Sequence, residues 1–159
     1  MPTTPPIQAG AVYEAHLSVS DLDRSIEFYC RVLGFTLALR QPSRNLAFLW
    51  TAENRSSMLG LWAQPDTAKH FGHTAFRVPM PELVQAPSRL KALGVEPLDW
   101  NSEPTDEPWV FAWVPAAFVY FPDPDGNNLE LITVLDQPPQ PALGHLPLSQ
   151  WEQAQPTTA

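Results

Sequence analysis

Apolar and polar residues alternate from Ala11 to Val19. Tyr13, Ala15 and Leu17 point one way, and Val12, Glu14, His16 and Ser18 the other, which predicts a strand with a polar stripe. The next segment, SDLDRSIEFYCRVLGF, changes period: Leu22, Ile26, Tyr29 and Leu33 recur at helical spacing, Asp21 or Asp23 can cap the start, and Gly34 supplies a left-handed stop. Three short strands follow at Thr36 to Arg40, Leu46 to Thr51 and Met58 to Ala63, separated by the turn-rich segments QPSRN and AENRSS. After a break at Gln64 to Lys69 the order recurs. A strand HTAFRV begins at His73, a helix runs from Glu82 to Leu93 and ends at Gly94, and strands fall near Val95 to Trp100, at Phe118 to Phe121 and at Leu129 to Val134. The pattern predicts an α+β protein of two βαβββ modules. The first is residues 11–64 and the second 70–135, between an N-terminal arm at 1–10 and a Pro-rich tail at 136–159.

The second module carries the most informative stretch, FVYFPDPDGNNLELIT, which reads as a hairpin closed by a Pro, Asp, Gly and Asn turn. Glu130 lies between Leu129 and Leu131, so its carboxylate faces away from them and wants water or a cation. Pro87 would break a helix interior, so the second helix is expected to begin there, after a separate short turn. The insertion NSEPTDEPWVFAWVPAA reads as a long lid-like loop. The tail beyond Gln137 reads as extended chain that docks Leu146, Leu148 and Trp151 on the body.

Composition narrows the partners. With 159 residues, 44% of them hydrophobic, the chain can bury a core without staples, and a net charge of -8 repels nucleic acid and anionic membrane surfaces. No apolar run approaches the roughly 20 residues that span a bilayer. The N-terminus has no basic and apolar leader, so a cytoplasmic location is expected. The single Cys30 falls in a predicted helix and reads as a small buried hydrophobe. His70 and His145 fall in predicted loops without partners at ligand spacing. Nucleotide, hydrolase-triad and thioredoxin motifs are absent from the sequence.

DLDRSIEFYCRVLGF after a first strand, HTAFRV opening a second module, and DPDG before LEL together resemble the vicinal-oxygen-chelate superfamily of glyoxalases, bleomycin-resistance proteins and dioxygenases. The resemblance covers residues 13–135. It implies paired modules forming a curled mixed sheet around a cleft, a divalent metal held by the first and last strands of each module, a small-molecule substrate and, as in many relatives, a homodimer. The internal repeat locates the implied ligand positions. His73 stands five residues before Val78 as Glu14 stands five before Val19, while Gly60 occupies the slot of Glu130 and can ligate nothing. His16 shares the face of Glu14, so the implied metal set is Glu14, His16, His73 and Glu130. Such a mixture suits zinc, nickel, manganese, cobalt or iron.

Chemistry of the glyoxalase I kind, a lyase or isomerase reaction on an oxygen-rich substrate, would use Glu130 as the base, with Glu14 the second candidate. Tyr120 resembles a substrate-contacting tyrosine of fosfomycin transferases. Trp50, Trp62, Trp109 and Trp113, with Tyr120, are the expected pocket aromatics. Two alternatives stand beside this reading. One is a metal-free small-molecule or drug binder of the bleomycin-resistance kind, in which Glu14 pairs with His16 or Arg77 and Glu130 is simply solvated. The other is an extradiol-type dioxygenase using His16, His73 and Glu130.

Overall fold

The computed structural model describes residues 11–64 and 72–155. The predicted arm at 1–10, His70 and most of the break after Gln64 lie outside the described residues. The chain divides into two units, Met1–Asp66 and Thr67–Ala159. Among the described residues they hold mixed sheets of four and five strands and three helices, an α+β architecture.

The first unit runs β1 (Glu14–Val19), α1 (Leu22–Leu33), β2 (Thr36–Gln41), β3 (Leu46–Trp50) and β4 (Met58–Ala63), in the sheet order β1-β4-β3-β2. β1 pairs parallel with β4, which requires a crossover, and α1 supplies it. Asp21 caps α1 by accepting the Arg24 backbone N–H at 3.0 Å. At the other end Gly34, at φ 70°, donates its N–H to the Cys30 carbonyl. Leu22, Ser25, Phe28 and Tyr29 form the buried face of α1, against β3 and β4, where Leu49, Leu59 and Leu61 are fully buried. Leu17 and Val19 of β1 join this core, leaving Glu14 and His16 exposed on the opposite face as the alternation predicts.

The second unit runs β5 (His73–Arg77), α2 (Met80–Ala92), β6 (Trp109–Phe111), β7 (Ala116–Pro122), β8 (Asn128–Val134), β9 (His145–Pro147) and α3 (Leu148–Ala154), in the order β5-β8-β7-β6-β9. The β7–β8 hairpin is as predicted. Its turn is built on Asp123, a buried carboxylate whose Oδ1 accepts the backbone N–H groups of Asp125 and Asn127 at 2.9 and 2.8 Å. Gly126 sits at φ 86°, where a side chain would be strained. Asn127 in turn accepts the Gly72 N–H, and Asn128 donates to the Gly72 carbonyl, so this one turn also sets where β5 starts beside β8.

Four expectations are corrected here. α2 is one continuous helix with Pro87 inside it. Burial of Leu83, Ala86, Pro87 and Leu90 against β7 and β8 outweighs a local penalty of about 3 kcal/mol. Val95 to Trp100 is not a strand: only Leu98 pairs, exchanging two backbone bonds with Tyr120, before Asp99 gathers the Asn101 and Glu103 N–H groups into a turn. The insertion is not a loop over the sheet, because it contributes β6 and the start of β7. The tail is not extended: it adds β9 to β6 and then turns into α3, burying Leu148 and Trp151, so His145 lies in a strand. Among the described residues no helix is long and apolar enough to cross a membrane.

Candidate functional site

In the second unit the parallel ladder sets Ala75 opposite Glu130 and His73 opposite Asn128, while the antiparallel ladder sets Tyr120 opposite Glu130. His73, Glu130 and Tyr120 therefore share one face. Glu130 is 4% exposed, not solvated as the binder reading expected. Its Oε2 lies 3.2 Å from His73 Nε2, and its Oε1 is buried without a hydrogen-bond partner among the described residues. Burial pushes the Glu130 carboxyl above its ordinary range, with His73 opposing the shift. His73 Nδ1 lies 3.2 Å from the Asn128 carbonyl, which only accepts, so Nδ1 carries a proton and Nε2 is the nitrogen that faces Glu130. An imidazole locked in this way, next to a carboxylate with an unsatisfied oxygen, fits a divalent cation. The Tyr120 ring meets His73 edge to face at 5.9 Å. Its hydroxyl is pushed up to about 12, first by burial and then by the Glu130 charge, and so stays protonated as a donor.

In the first unit the same ladder position pairs His16 with Gly60. Glu14 is thus to His16 and Gly60 what His73 is to Ala75 and Glu130, which is the register read from the repeat. The His16 ring lies over Gly60: a Cβ there would stand 2.6 Å from His16 Nδ1 and 2.9 Å from Cε1. His16 Nε2 is 3.2 Å from Glu14 Oε1, and the Trp62 indole N–H donates to His16 Nδ1 at 2.6 Å. Gly60→Ala should therefore swing the ring out and cost about 1–3 kcal/mol of stability, read as a lower urea midpoint with unchanged slope. An unaltered midpoint would show that the ring moves freely.

The pairs Glu14–His16 and His73–Glu130 each form within one unit. Among the described residues no group of three or more His, Cys, Asp or Glu is drawn together in a metal-holding cluster. Of the expected pocket aromatics, Trp50 in β3, Trp62 in β4 and Trp109 in β6 are half-buried, and Trp113 is 62% exposed in the β6–β7 turn. Trp50 carries the Arg55 guanidinium 5.9 Å over its ring.

Sequence reasoning missed two features. The Trp62–His16 bond had a signal, since Trp62 follows Gly60 by one strand period. The stack of Trp100 on His145, at 4.0 Å and 6°, had none, because the partners come from the Asp99 turn and the tail. Both rings stand edge-on to Phe111, which stacks on Phe118 at 3.9 Å, and Phe118 meets Tyr120 at 4.9 Å. An aromatic row thus leads from the His73–Glu130 pair across the sheet.

Two units that each run strand, helix and three further strands, with a His–Glu pair on one face of each sheet, have the architecture of the vicinal-oxygen-chelate proteins. The profile of the Glyoxalase/Bleomycin resistance protein/Dioxygenase superfamily matches residues 11–131, and the chain belongs to that superfamily. It is similar to glyoxalase domain-containing protein 4 of Mus musculus, with 31% identity over 80 residues, 49% of this chain and 27% of that protein. The chain thus spans about a quarter of that relative's length. Among solved structures, an integron cassette protein from the mobile metagenome of the Halifax Harbour sewage outfall shares 26% identity at TM-score 0.66, covering 79% of this chain and 100% of that one. Lactoylglutathione lyase from Agrobacterium tumefaciens shares 25% identity at TM-score 0.60, covering 78% of this chain and 93% of that one.

Proposed function

We propose that the chain is a divalent-metal-dependent lyase or isomerase of the glyoxalase I kind, acting in the cytoplasm as a homodimer on a small substrate with two neighbouring oxygens. The observation that carries this reading is Glu130, a buried carboxylate with one oxygen beside His73 Nε2 and the other without a partner among the described residues. His73 and Glu130 are the second unit's ligands, with Glu14 and His16 the corresponding candidates of the first. Imidazole and carboxylate donors suit zinc, nickel, manganese, cobalt or iron. When bound, the ion polarises a substrate carbonyl. The chain's own groups do the rest. Glu130, its affinity for a proton raised by burial, takes the proton from the carbon next to the carbonyl and returns it to the neighbouring carbon. The Tyr120 hydroxyl donates to oxygen as charge develops there. The likeness to lactoylglutathione lyase supports this class of reaction.

A second reading, the metal-free binder, is favoured by Gly60, which removes one ligand slot, and by His16, whose ring nitrogens are both engaged. Hemithioacetals and other α-hydroxycarbonyl substrates incubated with metal-loaded protein in D2O distinguish the two. Solvent deuterium should enter the substrate carbon, and Glu130→Gln should slow entry by about 10²–10⁴-fold. Tight binding of such compounds with no exchange under any metal would establish the binder.

A further inference from the structure

We propose that His16 is a positioning residue for Glu14 and that Trp62 fixes its tautomer. The proposal rests on the metal-enzyme reading above and refines it, because it makes the Glu14 carboxylate the group that the first unit offers to a ligand. An indole N–H can only donate. At 2.6 Å from Trp62 Nε1, His16 Nδ1 must therefore be the accepting nitrogen, and the proton of the neutral ring sits on Nε2, facing Glu14 Oε1 at 3.2 Å. An imidazole that ligates through Nε2 needs its proton on Nδ1, where the Trp62 N–H already points.

His73 has the opposite arrangement. Its Nδ1 donates to a carbonyl, and its Nε2 faces Glu130 Oε2 at 3.2 Å. The nitrogen that accepts in His16 thus donates in His73.

The packing around His16 maintains its arrangement. Phe48 meets the ring edge to face at 5.8 Å, and the Arg44 guanidinium lies 5.1 Å over the Trp62 ring. Gly60 has a positive role here. The missing side chain leaves room for the His16 ring, so the residue that deletes a ligand slot also seats the relay. Glu14, with a side chain 42% exposed, keeps its second oxygen for a cation or a substrate proton while its first is held by His16.

The test has two readouts on the full chain. Long-range proton–nitrogen spectra of the metal-free protein should show His16 with a bare Nδ1 and a protonated Nε2, and Trp62→Phe should mix the tautomers. A protonated Nδ1 in the wild type overturns the relay. Cobalt(II) titration followed by visible absorption then assigns the roles. Glutamine carries one acceptor and one donor, so His16→Gln should bind cobalt within about threefold of wild type, while His16→Ala and Trp62→Phe weaken binding about tenfold and Glu14→Gln about 100-fold. His16→Gln losing as much affinity as Glu14→Gln would make His16 a ligand and overturn the proposal. A wild type that binds no cobalt overturns the metal-enzyme reading and the Glu14 assignment with it. The relay is judged separately, by the spectrum of the metal-free chain.

Discussion

Glu130→Gln and His73→Ala are each expected to weaken binding of zinc or cobalt by more than about 100-fold while leaving the fold intact. The physical reason differs for the two. His73 is half exposed, so its loss removes a donor and one edge-to-face contact with Tyr120 and leaves the buried core in place. Glu130 is buried, and its amide replacement keeps the volume while removing the charge. That second change has a signature of its own in chelator-treated protein. A carboxyl whose pKa is raised in the folded chain holds its proton more tightly there. The stability it contributes is therefore complete below its ordinary value near 4.5 and is lost as pH rises through the raised one. Metal-free Glu130→Gln should gain melting temperature over wild type as pH rises from about 4 to about 8, and added metal should reverse the order by stabilising wild type alone. Equal metal-induced shifts in all three proteins would place the ion elsewhere.

Trp151→Ala is expected to cost about 3–5 kcal/mol, the largest effect of a single truncation outside the site. Trp151 is 1% exposed on α3, the helix that follows β9, so the tail is part of the second unit's core. Its indole N–H is buried without a partner among the described residues. Trp151→Phe, which keeps an aromatic ring and removes the orphaned donor, should therefore recover most of the loss. Urea denaturation of both variants checks this. Near-equal midpoints for Trp151→Ala and wild type would show that α3 is dispensable.

The contrast between these two predictions shows which parts of the structure the residues announce. Period-two and helical spacing, with Asp21 and Gly34 as punctuation, were enough for the first unit, because β1, α1, β3 and β4 each bury apolar side chains in one core. The internal repeat made Glu14 the counterpart of His73, and the two ladders, each within its own unit, have the same correspondence. The tail and the insertion were misread for one reason. Prolines such as Pro104, Pro108 and Pro141 argue locally for loop, whereas β6 and β9 are three-residue strands that exist only through their pairing with β7 and with each other. Pro87 failed in the same way, its local penalty outweighed by tertiary burial. At the site, alternation gave the face of Glu130 but could not give its burial, which depends on neighbouring strands. The Trp62 bond that fixes His16 was within reach of the strand period. The Trp100–His145 stack, joining residues far apart in sequence, was not.

The central claim is that this chain holds a functional divalent ion, and metal content tests it most directly. Tag-free protein purified without chelator, then supplemented with zinc, nickel, manganese, cobalt or iron and desalted, is measured by plasma mass spectrometry. The account predicts about one ion per chain of at least one of these metals, lost in Glu130→Gln and in His73→Ala. Less than about a tenth of an ion per chain with every metal would contradict it and identify the chain as a metal-free binding member of its superfamily.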